Sequence, residues 1–85
     1  MNQAILFPDR EEWDESRQCI SFPALVSGFQ MQCALSLESL VRRFGSGTPA
    51  YWLESFRQHR WDLEEEAEEA IREQREDDQG WFWLS

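Results

Sequence analysis

The sequence predicts a two-layer α+β domain: a small, mainly antiparallel sheet packed against two helices, the second of them long. Three observations carry the prediction. A pair of β-like runs faces each other across a short turn. Helical apolar spacing then dominates residues 37–75. An aromatic run, Trp81-Phe82-Trp83-Leu84, closes the chain as a last strand. Eighty-five residues suit one domain, taken as residues 1–85, with no room for a second. Five Trp, six Phe and one Tyr give this short chain enough apolar area for a core without metal or disulfide staples.

The first element is a short strand at residues 4–7, Ala-Ile-Leu-Phe, followed by a turn-like stretch at 9–16 that carries Trp13. Residues 17–26 and 29–36 then form a hairpin around Ser27-Gly28. Pairing Val26 with Phe29 sets the register. One face then collects Val26, Phe29, Ala24, Met31, Phe22, Cys33, Ile20 and Leu35, all apolar. The other collects Leu25, Gln30, Pro23, Gln32, Ser21, Ala34, Cys19 and Ser36, mostly small or polar. A half-buried sheet requires this division. Pro23 has no N–H to donate, so one side of its strand should be unpaired or bulged.

Leu37, Leu40, Val41 and Phe44 follow i, i+3, i+4, i+7 spacing, with Ser36 as N-cap and Gly45 just past the end. Thr48-Pro49 opens the second helix as N-cap and N1. This helix should run to about residue 75, with Trp52, Phe56, His59, Leu63, Ala67 and Ala70 on one stripe. At 1.5 Å per residue it would be about 39 Å long. Gln79-Gly80 breaks the pattern before the last strand.

Net charge is −9, from seventeen acids against eight bases, all eight of them arginine. Nucleic-acid binding rests on neutralising phosphates with Lys and Arg, so direct DNA or RNA binding is disfavoured, as is an anionic membrane. A charged partner should be a basic protein. The N-terminus lacks a basic n-region and no segment has the ~20 apolar residues of a membrane span, which places the protein in the cytoplasm.

No residue pattern reads as catalytic, cofactor-binding or metal-ligating. Cys19 and Cys33 fall on opposite faces of the hairpin and should be buried, reduced thiols. One histidine, His59, is too few for a dedicated transition-metal site, and its ordinary role is a local hydrogen bond, for example to Asp62. No serine has a nucleophile context, and Gly45-Ser46-Gly47 lacks the strand and lysine of a phosphate loop. The expectation is a protein that is not an enzyme.

The acidic half-helix is the unusual feature. Acids near a helix C-terminus oppose the macrodipole, and Glu64/Glu68 and Glu65/Glu69 are like-charge i,i+4 pairs. Local stability does not account for them. Trp61 lies opposite the apolar stripe, ringed by Arg57, Glu64, Glu65 and Glu68, which is the composition of an interface hot spot. These five residues form the candidate partner-binding face. The alternatives are a nucleic-acid mimic acting on a nucleic-acid-binding protein, or an enzyme or anion site around His59, Arg57 and Arg60. In the last strand Trp81 and Trp83 point away from Phe82 and Leu84. Either the 9–16 loop covers the two indoles or a second copy does, so a homodimer through the C-terminal strand is expected.

Residues 7–14 (FPDREEWD), 22–26 (FPALV), 56–68 (FRQHRWDLEEEAE) and 76–81 (EDDQGW) resemble the YrdB-like family. These are short bacterial proteins grouped as a domain of unknown function. The resemblance runs nearly end to end and implies a small cytoplasmic α+β protein. It brings no activity, cofactor or catalytic residue.

Overall fold

The computed structural model describes residues 4–85. In chain order these form β1 (Ile5–Leu6), β2 (Glu12–Asp14), β3 (Cys19–Val26), β4 (Phe29–Ser36), α1 (Leu37–Phe44), α2 (Pro49–Gln58), α3 (Arg60–Arg72) and β5 (Trp81–Leu84).

The hairpin forms in the predicted register, from Val26↔Phe29 to Cys19↔Ser36. Ser27 (φ 52°) and Gly28 (φ 84°) are both left-handed, the conformation a tight two-residue hairpin turn needs to match strand twist. Pro23 interrupts its strand's outer edge as predicted. β1 pairs with Leu25 and Val26, β2 pairs with Cys19, Ser21 and Ile20, and the three residues around Pro23 between them have no strand partner on that side. The strand order is β1-β3-β4-β5, with β2 also on the β3 edge. β5 runs parallel to β4, and the other pairs are antiparallel.

Three predicted boundaries need correction. The first strand is limited to Ile5–Leu6. The 9–16 stretch is not all turn, since Glu12–Asp14 pairs with β3 and sets Trp13 opposite Ile20, where its indole packs on Trp52 at 5.7 Å. The predicted long helix is two helices, α2 and α3, meeting at His59, and it ends at Arg72 rather than near 75.

The break has a local cause. His59 (φ −111°, ψ 19°) leaves the helical region. Its Nδ1 sits 2.9 Å from the Ser55 carbonyl oxygen, which its own backbone N–H also reaches at 3.1 Å. His59 is therefore exposed rather than on the buried stripe. Its partner is Ser55, not Asp62, and its ring lies 5.2 Å from Phe44. Apolar residues of both helices still reach the core, Trp52 and Phe56 from α2 and Leu63, Ala67 and Ala70 from α3. Beyond Arg72, Gln74 adopts φ 56° and its N–H bonds the Ile71 carbonyl, which closes α3.

The caps fall where the sequence places them. Ser36 Oγ accepts from the Ser39 N–H at 3.2 Å, Gly45 takes φ 93°, and Thr48 Oγ1 accepts from the Tyr51 N–H at 3.2 Å. The core joins the predicted apolar hairpin face to the helices. Ile20, Phe22, Ala24, Cys33 and Leu35 meet Leu40, Trp52, Phe56, Leu63, Ala67 and Ala70, with Phe82 and Leu84 from β5. Cys19 and Cys33 are free and fully buried. Burial pushes the Cys19 thiol up to about 11 and the Cys33 thiol up to about 12. Neither offers a thiolate at neutral pH.

Candidate docking groove

On α3, residues 61, 64, 65, 68 and 72 share one side of the helix by their i, i+3, i+4, i+7 spacing. Opposite them stand Ile5 of β1 and Phe7 just beyond it. Between the two walls lies a groove of about 570 Å³, lined by Ile5, Phe7, Trp61, Glu64, Glu65, Glu68, Glu69 and Arg72. Trp61 is 86% exposed. At that exposure neither Arg57 nor the 9–16 stretch covers it.

The walls differ in chemistry. Ile5 and Phe7 are half-buried and pack against the core. On the helix side, Glu68 accepts from Arg72 at 2.8 Å, and Glu65 and Glu69 are exposed. Burial raises the Glu64 carboxyl above its ordinary range, against the opposing pull of Arg60. The groove is thus an apolar shelf facing a row of acids, with one indole at its end.

Of the five residues predicted for this face, Trp61, Glu64, Glu65 and Glu68 line the groove together. Arg57 does not. It turns to the N-terminal loop, where its Nε donates to Glu11 Oε2 at 2.8 Å, and it lines a smaller hollow of about 340 Å³ around the α2–α3 junction. Arg60 donates to the other Glu11 oxygen and pairs with Asp9 at 3.4 Å and Glu64 at 3.5 Å. Both arginines of the alternative anion site are therefore held by carboxylates of the chain itself. Sequence reasoning missed Ile5 and Phe7 as the second wall. Their only signal was the apolar run at 4–7, which says nothing of what it faces.

The other sheet face carries its own aromatic group. Register places Trp81 and Trp83 beside Gln32 and Ala34. The loop bearing Trp13 does not cover them, because Trp13 sits on the helix side. Instead the Arg17 guanidinium lies 4.4 Å from the Trp81 ring centroid, and Trp81 stacks on Trp83 at 5.8 Å. Asp77 ties the strand entry down, accepting from the Trp81 N–H at 2.9 Å and from Trp83 Nε1 at 2.8 Å. The Trp81 N–H is the main cause holding the Asp77 carboxyl below its usual range, with the Trp83 indole next.

The family model described as "Protein of unknown function (DUF1488)" matches residues 5–84. The chain belongs to the DUF1488 family. Among curated DUF1488-like proteins, "Uncharacterized protein YrdB" of Escherichia coli (strain K12) is 70% identical over 84 residues, covering 99% of each chain. The same-named protein of Shigella flexneri is 69% identical with the same coverage. A DUF1488 crystal structure from Shewanella loihica PV-4 superposes with a TM-score of 0.91 at 30% identity, over 99% of this chain and 94% of that one. The α+β architecture is therefore the DUF1488 fold. Among the described residues, no helix is long and apolar enough to cross a membrane.

Proposed function

We propose that this protein is a non-enzymatic interaction module that docks a basic protein partner in the groove beside Trp61. The observation that carries this is an indole 86% exposed at the end of an acid-walled groove with an apolar shelf. An isolated exposed Trp has no stabilising role in its own fold, and Glu65 and Glu69 beside it are an exposed like-charge i,i+4 pair. Both make sense as a contact that a partner completes: charge sets the encounter rate, and the ring holds the complex. A nucleic-acid mimic would use the same acids but has no use for Ile5 and Phe7. An enzymatic or anion site at His59 is disfavoured because Arg57 and Arg60 are already paired with Glu11. We place the interaction in the cytoplasm, where two buried thiols ordinarily stay reduced.

Trp61→Ala should leave stability within about 1 kcal/mol, as for an exposed site, and weaken partner binding by about 2 kcal/mol or more, some 30-fold. Glu65→Lys with Glu68→Lys should slow association and flatten its salt dependence. Urea titration and surface plasmon resonance read the two effects. Unfolding by Trp61→Ala, or unchanged binding, would remove this face as the site.

A homodimer through β5 is a second reading. It is favoured by Trp83 at 39% exposure and by a β5 edge that carries no further strand among the described residues. Light scattering at high salt and high protein concentration tests it, and a purely monomeric mass overturns it.

A further inference from the structure

The helical layer stops short of the hairpin tip. Ile5 pairs with Val26 and Val26 with Phe29, so the three side chains form one row across the core-side face. Val26 is buried, but Phe29 at the end of the row is 71% exposed. Ile5 also lines the groove, and Phe29 lies two strands across from it on the same face as a second exposed apolar group.

We infer that the groove takes a basic amphipathic helix of about three turns, laid alongside α3 with its apolar stripe on Ile5 and Phe29. This rests on the docking reading above and adds the partner's conformation. The spacing of the helix-side wall argues for it. Trp61, the Glu64/Glu65 pair, Glu68 and Arg72 recur about once per turn, roughly 5.4 Å apart over about 16 Å. A helix presents its own side chains at that interval, so each turn of the partner meets one turn of α3. An extended segment repeats every ~6.7 Å on one side and would drift by roughly 4 Å over the same three repeats. The backbone edge beside the groove, β1, is only two residues long, too short to template an added strand, which suits a helix seated in the groove better. Lys or Arg beside the partner's apolar stripe would meet Glu64, Glu65 and Glu68. A second copy of this chain is a poor occupant, because it would bring the same glutamates against each other at a net charge of −9 per chain.

The test uses two fluorescent 18-residue peptides titrated against the full chain. In the first, leucines follow i, i+3, i+4, i+7 spacing and lysines fill the remaining positions. The second has equal charge, with two central residues changed to proline. The helical peptide should bind at least tenfold more tightly than its proline counterpart. Phe29→Ala and Trp61→Ala should each weaken it tenfold or more, while Trp83→Ala on the opposite face leaves it unchanged. Circular dichroism confirms that each variant is folded. Equal binding of the two peptides, indifference to Phe29→Ala, or no binding of the helical peptide overturns the inference. If both peptides bind equally and both are lost with Trp61→Ala, the docking reading stands and only the helical partner falls. If Trp61→Ala affects neither, both fall.

Discussion

Phe56→Ala should destabilise the protein by about 3–5 kcal/mol, while Trp61→Ala, little more than one turn further on, should cost less than about 1 kcal/mol. The contrast follows from where the two rings go. Phe56 is fully buried, with its ring 4.9 Å from Phe22 and the Arg60 guanidinium 5.4 Å away on another side. Truncation would open a cavity at the point where α2 meets the sheet, and the Phe22 ring packed on it is held in a strand and does not collapse readily into the space. In a domain of this size such a loss is a large part of the whole stability. Urea unfolding followed by far-UV circular dichroism measures it. A loss below about 1 kcal/mol for Phe56→Ala would mean that the α2–sheet contact does not anchor the fold.

Glu11→Gln should destabilise by about 2–3 kcal/mol at neutral pH, with the deficit disappearing in acid. The Glu11 side chain is only 7% exposed and pairs with both Arg57 and Arg60. Burial alone would raise its pKa, but the hydrogen bonds from Arg60 and then Arg57 outweigh it, and the net shift is downward from the ordinary 4.5. A carboxyl with a lowered folded-state pKa contributes stability that is fully present above its unfolded value. That stability is lost as pH falls through the folded value. Wild type should therefore lose this contribution progressively below about pH 4.5, and Glu11→Gln should show a shallower acid slope. The expected loss is below the ceiling for a stranded buried charge, because Arg60 keeps Asp9 and Glu64 and Arg57 is half-exposed. Paired urea titrations at pH 7 and pH 3 decide the matter. A deficit of equal size at both would show that shape, not charge, is what Glu11 supplies.

The hairpin was legible because period-2 patterning and the Ser27-Gly28 turn specify one register independently. The α1 and α2 starts were legible because Ser36, Thr48 and Pro49 cap by local chemistry. Trp61 was legible as exposed because a helical wheel needs only a few residues of regular helix on either side of it. The break at His59 was not. It involves no glycine or proline, and the apolar spacing continues through it from Phe56 to Leu63. Strand β2 escaped because three residues carry too little pattern. Glu11 escaped because its two partners lie far along the chain and one of many acids in the sequence looks like another. For the same reason the helix-side wall of the groove was visible in advance and the Ile5 and Phe7 wall was not. One lies within a single element, while the other depends on how two distant elements are brought together.

The gap at Pro23 bears on assembly. An edge strand with a long run of free backbone groups is a template for indefinite strand-on-strand growth. Here one margin of the sheet is divided between β1 and β2, two and three residues long, with a proline opposite the space between them. Neither fragment offers a run long enough to seed another strand. Among the described residues only the β5 margin remains for pairing, so two copies joined there would use up both available margins at once. Self-association by this route closes as a two-fold pair and has no way to propagate into a filament.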